Sequence, residues 1–170
     1  MAKEKGGRGP GTMSVRDATN LLIAVAGTGK VRSVLPVEQH GTTKTQQGKW
    51  TGVSTLPELS KLPRNHKFAD AIEALIRSAM NGALESPLSV SVKLHEPIAR
   101  STTSIVRRIT DREGTTQEEQ IEEKLYETQI ITASGMNFDP PLAARRESDL
   151  WHEHMFTDAV IRKIADMMRR

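Results

Sequence analysis

The sequence predicts an α+β fold: a short N-terminal helical module, then an α-β-β-β-α unit in which two amphipathic helices cover one face of a small antiparallel sheet. Three observations predict it. Residues 66–84 place Phe68, Ile72, Leu75, Ile76, Ala79 and Met80 on one helical face. Leu88 to His95 alternates strictly, with Leu88, Val90, Val92 and Leu94 on one side and Ser89, Ser91, Lys93 and His95 on the other, the period of a strand with one wet face. The stretch after Ser148 repeats Trp151, Met155, Phe156, Ala159, Val160, Ile164 and Met167 at helical spacing.

In chain order, residues 1–13 (MAKEKGGRGPGTM) hold four Gly and one Pro among cations and lack the apolar surface to fold alone, so they read as a flexible basic arm. Ser14-Val-Arg-Asp17 has the capping pattern of a helix start, with Asp17 also meeting the positive end of the helix dipole. Ala18, Leu21, Leu22 and Val25 continue that helix to a stop at Gly27 or Gly29. Val31, Val34 and Leu35 give a short second helix broken by Pro36. His40 to Thr55 is a polar loop or weak hairpin anchored by Trp50, and Leu56, Leu59 and Leu62 form one helical turn. Residues 14–62 thus form a small helical module with a polar loop, and residues 63–170 the α+β domain.

In that domain Asn65 caps the 66–84 helix and Gly82 marks its end. Thr103–Thr110 and Lys124–Ala133, both β-branched, join Leu88–His95 in a three-stranded meander. Asp111 to Glu127 packs seven carboxylates around Gly114, Thr115 and Thr116, which reads as a solvated loop or, alternatively, an acidic hook for a partner. Asn137-Phe-Asp-Pro-Pro141 is an irregular crossing. A final helix runs from the Ser148 cap to Met168, and Arg169-Arg170 suits its negative end.

Composition narrows the function classes. The 170 residues allow one compact domain with appendages, which excludes a large multidomain enzyme. Six aromatic residues leave Leu, Ile, Val and Met to build the core and offer no platform for stacking bases. The absence of Cys removes disulfides, thiolate metal sites and thiol nucleophiles, and fits a reducing cytoplasm. No apolar run approaches the ~20 residues that span a bilayer, and the N-terminus lacks the apolar stretch of a signal peptide.

No constellation for catalysis emerges. Leu21 to Lys30 imitates a phosphate loop, but Ala24 stands where that loop needs Gly and Val31 where it needs a magnesium-binding hydroxyl. His152 and His154, on a helix, would point about 200° apart and could not chelate one ion. His40, His66 and His95 have no carboxylate pattern beside them, and no Ser sits in a nucleophile elbow. The sequence therefore implies no catalytic residue, no metal and no cofactor.

Charge carries the functional signal. Residues 1–64 hold 10 Lys and Arg against 4 Asp and Glu, whereas the remainder holds 14 against 17. A basic N-terminal third without a basic amphipathic helix points to a polyanion or an acidic protein surface, and away from a membrane. The candidate phosphate contacts are Lys3, Lys5 and Arg8 on the arm, Arg16, Lys30 and Arg32 on the first helices, and Lys44 and Lys49 in the loop. The two short helices around Thr28-Gly29 have the layout of a helix-turn-helix with a short second member.

The run from Gly6 to Ala24 (GGRGPGTMSVRDATNLLIA) resembles segments of small bacteriophage and prophage proteins in which it sits beside a DNA-binding module. That resemblance implies a phage-associated protein acting in the host cytoplasm or the virion. Two readings follow. One is a non-enzymatic nucleic-acid-binding or regulatory protein. The other is a virion or assembly component, a homo-oligomer whose arm and sheet edge make subunit contacts and whose basic end meets the acidic stretch of another copy.

Overall fold

The computed structural model describes residues 13–28, 35–45, 47–96, 99–111, 113–127 and 152–169. The fold is α+β, as the patterning implied, with a five-stranded antiparallel sheet where three strands were expected.

Helix α1 (Val15–Thr28) starts as its capping sequence dictates. The Ser14 hydroxyl accepts the Asp17 N–H at 3.1 Å, and the Asp17 carboxylate accepts the Ser14 N–H at 3.1 Å. The Ser14 contacts also hold the Asp17 carboxyl below its ordinary range. The second helix is α2 (Leu35–Gly41), which begins at the Leu-Pro step instead of ending there. Proline lacks only an N–H that the first turn leaves unpaired anyway, so it suits a helix start. Residues 29–34, which include Val31 and Val34, lie outside the described residues. Strand β1 (Lys44–Thr45) and the one-turn helix α3 (Pro57–Ser60) follow.

Helix α4 (Phe68–Met80) is the core element, with Phe68, Ile72, Leu75 and Ile76 fully buried. Its N-cap is Lys67 rather than Asn65: the Asp70 carboxylate reaches back to the Lys67 N–H at 2.9 Å. Gly82, at φ +73°, makes the left-handed turn that ends the last turn.

Strands β2 (Leu88–Glu96), β3 (Arg100–Thr110), β4 (Thr116–Glu127) and β5 (His152–Thr157) complete the sheet in the order β1-β4-β3-β2-β5. Leu88, Val90, Val92 and Leu94 of β2, Ile105 of β3, Tyr126 of β4 and Phe156 of β5 are buried in the core with α4 and α5 (Asp158–Met168). Ala18, Leu22 and Ile23 of α1, together with Trp50, Val53, Leu56 and Leu59, belong to the same cluster, so the described residues of the two expected units share one core.

Two further expectations are corrected. The helix anticipated from Ser148 starts only at Asp158, and residues 152–157 are instead an edge strand paired with β2 from Ser91↔Thr157 to Glu96↔His152. The helical argument that set His152 and His154 about 200° apart therefore does not apply. The acidic stretch is no loop either. Residues 116–127 form β4, joined to β3 by a turn in which the Asp111 carboxylate accepts the Glu113 and Thr115 N–H groups. Like charges survive there because β3 supplies opposites: Arg108 lies 3.0 Å from Glu118 and Arg107 3.7 Å from Glu119. A bulge between Ile105 and Val106 marks where the helices stop covering the hairpin, and the described residues 107–120 beyond it are exposed on both faces.

Candidate functional site

Cations from three separate stretches line a cleft of about 650 Å³: Lys49, Arg64 and Lys124, with Thr45, Gln47, Gly48, Thr51 and Asn65 forming the rest of its wall. Lys124 is the recessed member, its side chain only 6% exposed. Its Nζ lies 2.7 Å from the Glu122 carboxylate, 3.3 Å from the Gln47 carbonyl oxygen and 5.5 Å from the centre of the Trp50 ring. Burying an ammonium costs several kcal/mol unless it is paired, and Glu122 supplies the pair.

Glu122 does a second job. Its carboxylate accepts the N–H groups of Thr51 at 2.9 Å and Gly52 at 2.7 Å, which presses the 47–52 loop onto β4. A Cβ at position 52 would sit 3.2 Å from the Ile121 carbonyl oxygen, so a larger residue would push the loop a few tenths of an ångström away from β4. The Gln47 side-chain oxygen accepts the Leu125 N–H at 2.7 Å, continuing along β4 where β1 has ended.

Behind the cleft a neutral polar network holds the wall. The Trp50 indole N–H donates to His66 Nε2 at 3.2 Å, and His66 Nδ1 lies 2.8 Å from the Pro63 carbonyl oxygen. An indole only donates, so Nε2 is bare and Nδ1 carries the proton. The Tyr126 hydroxyl lies 2.8 Å from the same Nε2, and its ring meets His66 and Phe68 edge-on. Burial lowers the pKa of His66 and pushes that of the Tyr126 phenol well above its usual range. The network stays uncharged and fixes residues 63–66, which carry Arg64 and Asn65.

A second buried histidine lies under the sheet. His40 Nδ1 is 2.9 Å from the Ser101 hydroxyl, and burial, with His95 and His154 acting in the same direction, brings its pKa down to about 4. It is neutral at neutral pH and packs as a core group.

Of the cations read from the sequence, Lys3, Lys5, Arg8, Lys30 and Arg32 lie outside the described residues. Arg16 is turned toward α4, with Nη1 2.8 Å from Glu73 and 3.7 Å from Asp70, so its charge is met within the chain. Lys44 is exposed in the segment that bridges to Lys67, and Lys49 lines the cleft. Neither Lys49 nor Arg64 has an ion pair among the described residues. The groove beside Arg16 is different: its Lys61 and Arg77 are paired with Glu58 at 2.8 Å and Glu73 at 3.8 Å.

Two cleft cations, Arg64 and Lys124, and the neighbouring Lys67 escaped the sequence reading. Arg64 and Lys67 stood in plain view in Pro63-Arg-Asn-His-Lys67, at the boundary where the charge balance changes sign. Lys124 carried no signal, because it sits inside the acidic stretch. Among the described residues no cluster of three or more His, Asp or Glu could hold a metal, and no helix is long and apolar enough to cross a membrane. Comparison of the chain with protein-family models, with curated proteins and with solved structures returns no match.

Proposed function

We propose that this chain is a non-enzymatic binding protein whose basic face binds phosphate groups of a nucleic acid. The observation that carries the reading is the convergence of Lys49 and Arg64, without ion-pair partners among the described residues, on the recessed Lys124. Lys44 and Lys67 stand on the adjoining bridge, and Lys3, Lys5, Arg8, Lys30 and Arg32 extend the same sign of charge along the sequence. Arg16 contributes least, being engaged by Glu73. The resemblance of residues 6–24 supports a phage or prophage setting for this reading, with the protein as a regulator in the host cytoplasm.

Fluorescence anisotropy with labelled duplex and single-stranded oligonucleotides tests this. Neutralising about four phosphates makes affinity fall roughly 100-fold between about 50 and 200 mM salt. No binding at the lower salt, or binding indifferent to salt, overturns the reading.

A second reading, as a virion or assembly component, draws on the hairpin beyond Val106. It is exposed on both faces, and at its turn it carries Asp111 and Glu113, of opposite sign to the cleft, while Glu118 and Glu119 are met by Arg108 and Arg107. Light scattering separates the two readings, because assembly through that hairpin gives concentration-dependent oligomers without nucleic acid.

A further inference from the structure

We infer that the Lys49, Arg64 and Lys124 cleft seats a phosphate monoester, the terminal phosphate of a nucleic-acid strand, and not one more phosphodiester of its backbone. The inference rests on the nucleic-acid reading above and names the chemical group that this part of the surface selects.

Charge is the first argument. Three cations and Glu122 leave the cleft at +2. A phosphodiester brings a single negative charge, whereas a monoester carries about −1.5 to −2 at pH 7. Only the monoester comes near to balancing the site.

Depth is the second. An internal phosphodiester is flanked by sugars and presents two unbridged oxygens sideways, which suits exposed side chains. Lys49 and Arg64 are exposed, but Lys124, which lines the same cleft, keeps only 6% of its side chain exposed. A terminal phosphate enters end-on and offers three oxygens to three cations.

The donors are also in place. Lys124 has three N–H bonds, and its contacts with Glu122 and the Gln47 carbonyl use two of them. The Thr45 hydroxyl accepts the Gln47 N–H at 3.2 Å, which leaves its own proton to donate. Glu122, the one negative wall group, already accepts from Lys124, Thr51 and Gly52, so its oxygens are satisfied. The Trp50, His66 and Tyr126 network holds this arrangement without charge of its own, so little has to be ordered on binding.

The test measures anisotropy of one short single-stranded oligonucleotide in three forms: unphosphorylated, 5′-phosphorylated and 3′-phosphorylated. A terminal phosphate is expected to tighten binding about tenfold, the worth of one added charge-assisted hydrogen bond, and the preferred form identifies the end. Arg64→Ala and Lys49→Ala, at exposed positions, are expected to abolish that preference without shifting the unfolding transition, while Lys163→Ala on α5 preserves it. Competition by a nucleoside monophosphate, with no effect of the nucleoside, supports the monoester chemistry and assigns a free nucleotide as an alternative source. Equal affinity for all three forms, or a preference that survives Arg64→Ala, overturns the inference and leaves the nucleic-acid reading standing. Failure of every form to bind at low salt overturns both.

Discussion

Two buried carboxylates hold the two sides of the sheet in nearly the same way, and only one of them borders a candidate site. On the β5 side, Asp158 lies 2.6 Å from Arg162 while accepting the Ser89 hydroxyl at 2.7 Å and the Val90 N–H at 3.3 Å. Arg162 in turn donates to the Leu88 carbonyl at 3.3 Å, so the charges turn back onto α5 and β2. On the β4 side, Glu122 binds Lys124 and two loop N–H groups, but Lys49 and Arg64 stand beside the pair with no counter-ion of their own among the described residues. An ion pair on a buried carboxylate is thus architecture wherever its charges cancel. The cations left over are what point to a ligand.

Four experiments probe that difference. The largest effect is expected from Trp50→Ala: removing a side chain that is 2% exposed, stacks on Lys124 and anchors His66 costs about 4 kcal/mol in urea unfolding, with loss of oligonucleotide binding. Asp158→Ala strands Arg162 and Ser89 and costs about 3 kcal/mol, yet oligonucleotide affinity at a temperature where the variant is folded stays at the wild-type value. If Asp158→Ala weakened binding as much as Arg64→Ala does, the two sides would not be separable.

Acid is next. His40 is held neutral, with a pKa of about 4 against 6.5 in the unfolded chain, so the unfolded state takes up the proton first. Its contribution is complete above pH 6.5 and is lost as pH falls toward 4, amounting to about 2 kcal/mol by pH 5. His66, also lowered, acts in the same direction. Urea midpoints across this range should fall with pH for the native chain and flatten for His40→Gln. The smallest stability change belongs to Arg64→Ala, under about 0.5 kcal/mol because the side chain is exposed and unpaired among the described residues, although the same change removes a cation from the cleft.

Much of the fold was legible because its signals are local. The Ser14 and Asp17 cap, the apolar stripe of α4, the alternation of β2 and the turn around Leu59 each appear where residues within a few positions of one another dictate them. Two misreadings share one cause. In residues 152–157, Met155 and Phe156 fit a helical stripe on paper, but pairing with β2 buries Phe156 and leaves Met155 59% exposed, the alternation of a strand. In residues 116–127 the crowded carboxylates argued for a loop until Arg107 and Arg108 were placed across from them. Arg169 ends α5 as its position implied, and only the fold shows that it also donates to the Ala79 carbonyl at the end of α4.

By itself, the sequence determined the α+β class, most of the helix starts and stops, and the concentration of positive charge before Asn65, since periodicity, capping and composition act between near neighbours in the chain. Only the tertiary structure decided that Arg16 is spent on Glu73, that β4 is a strand, and that Arg64 and the buried Lys124 join Lys49 in one cleft. Those outcomes depend on contacts between residues some 10 to 75 positions apart, where the Coulomb energy and desolvation of a charge are set by which partner folding delivers to it.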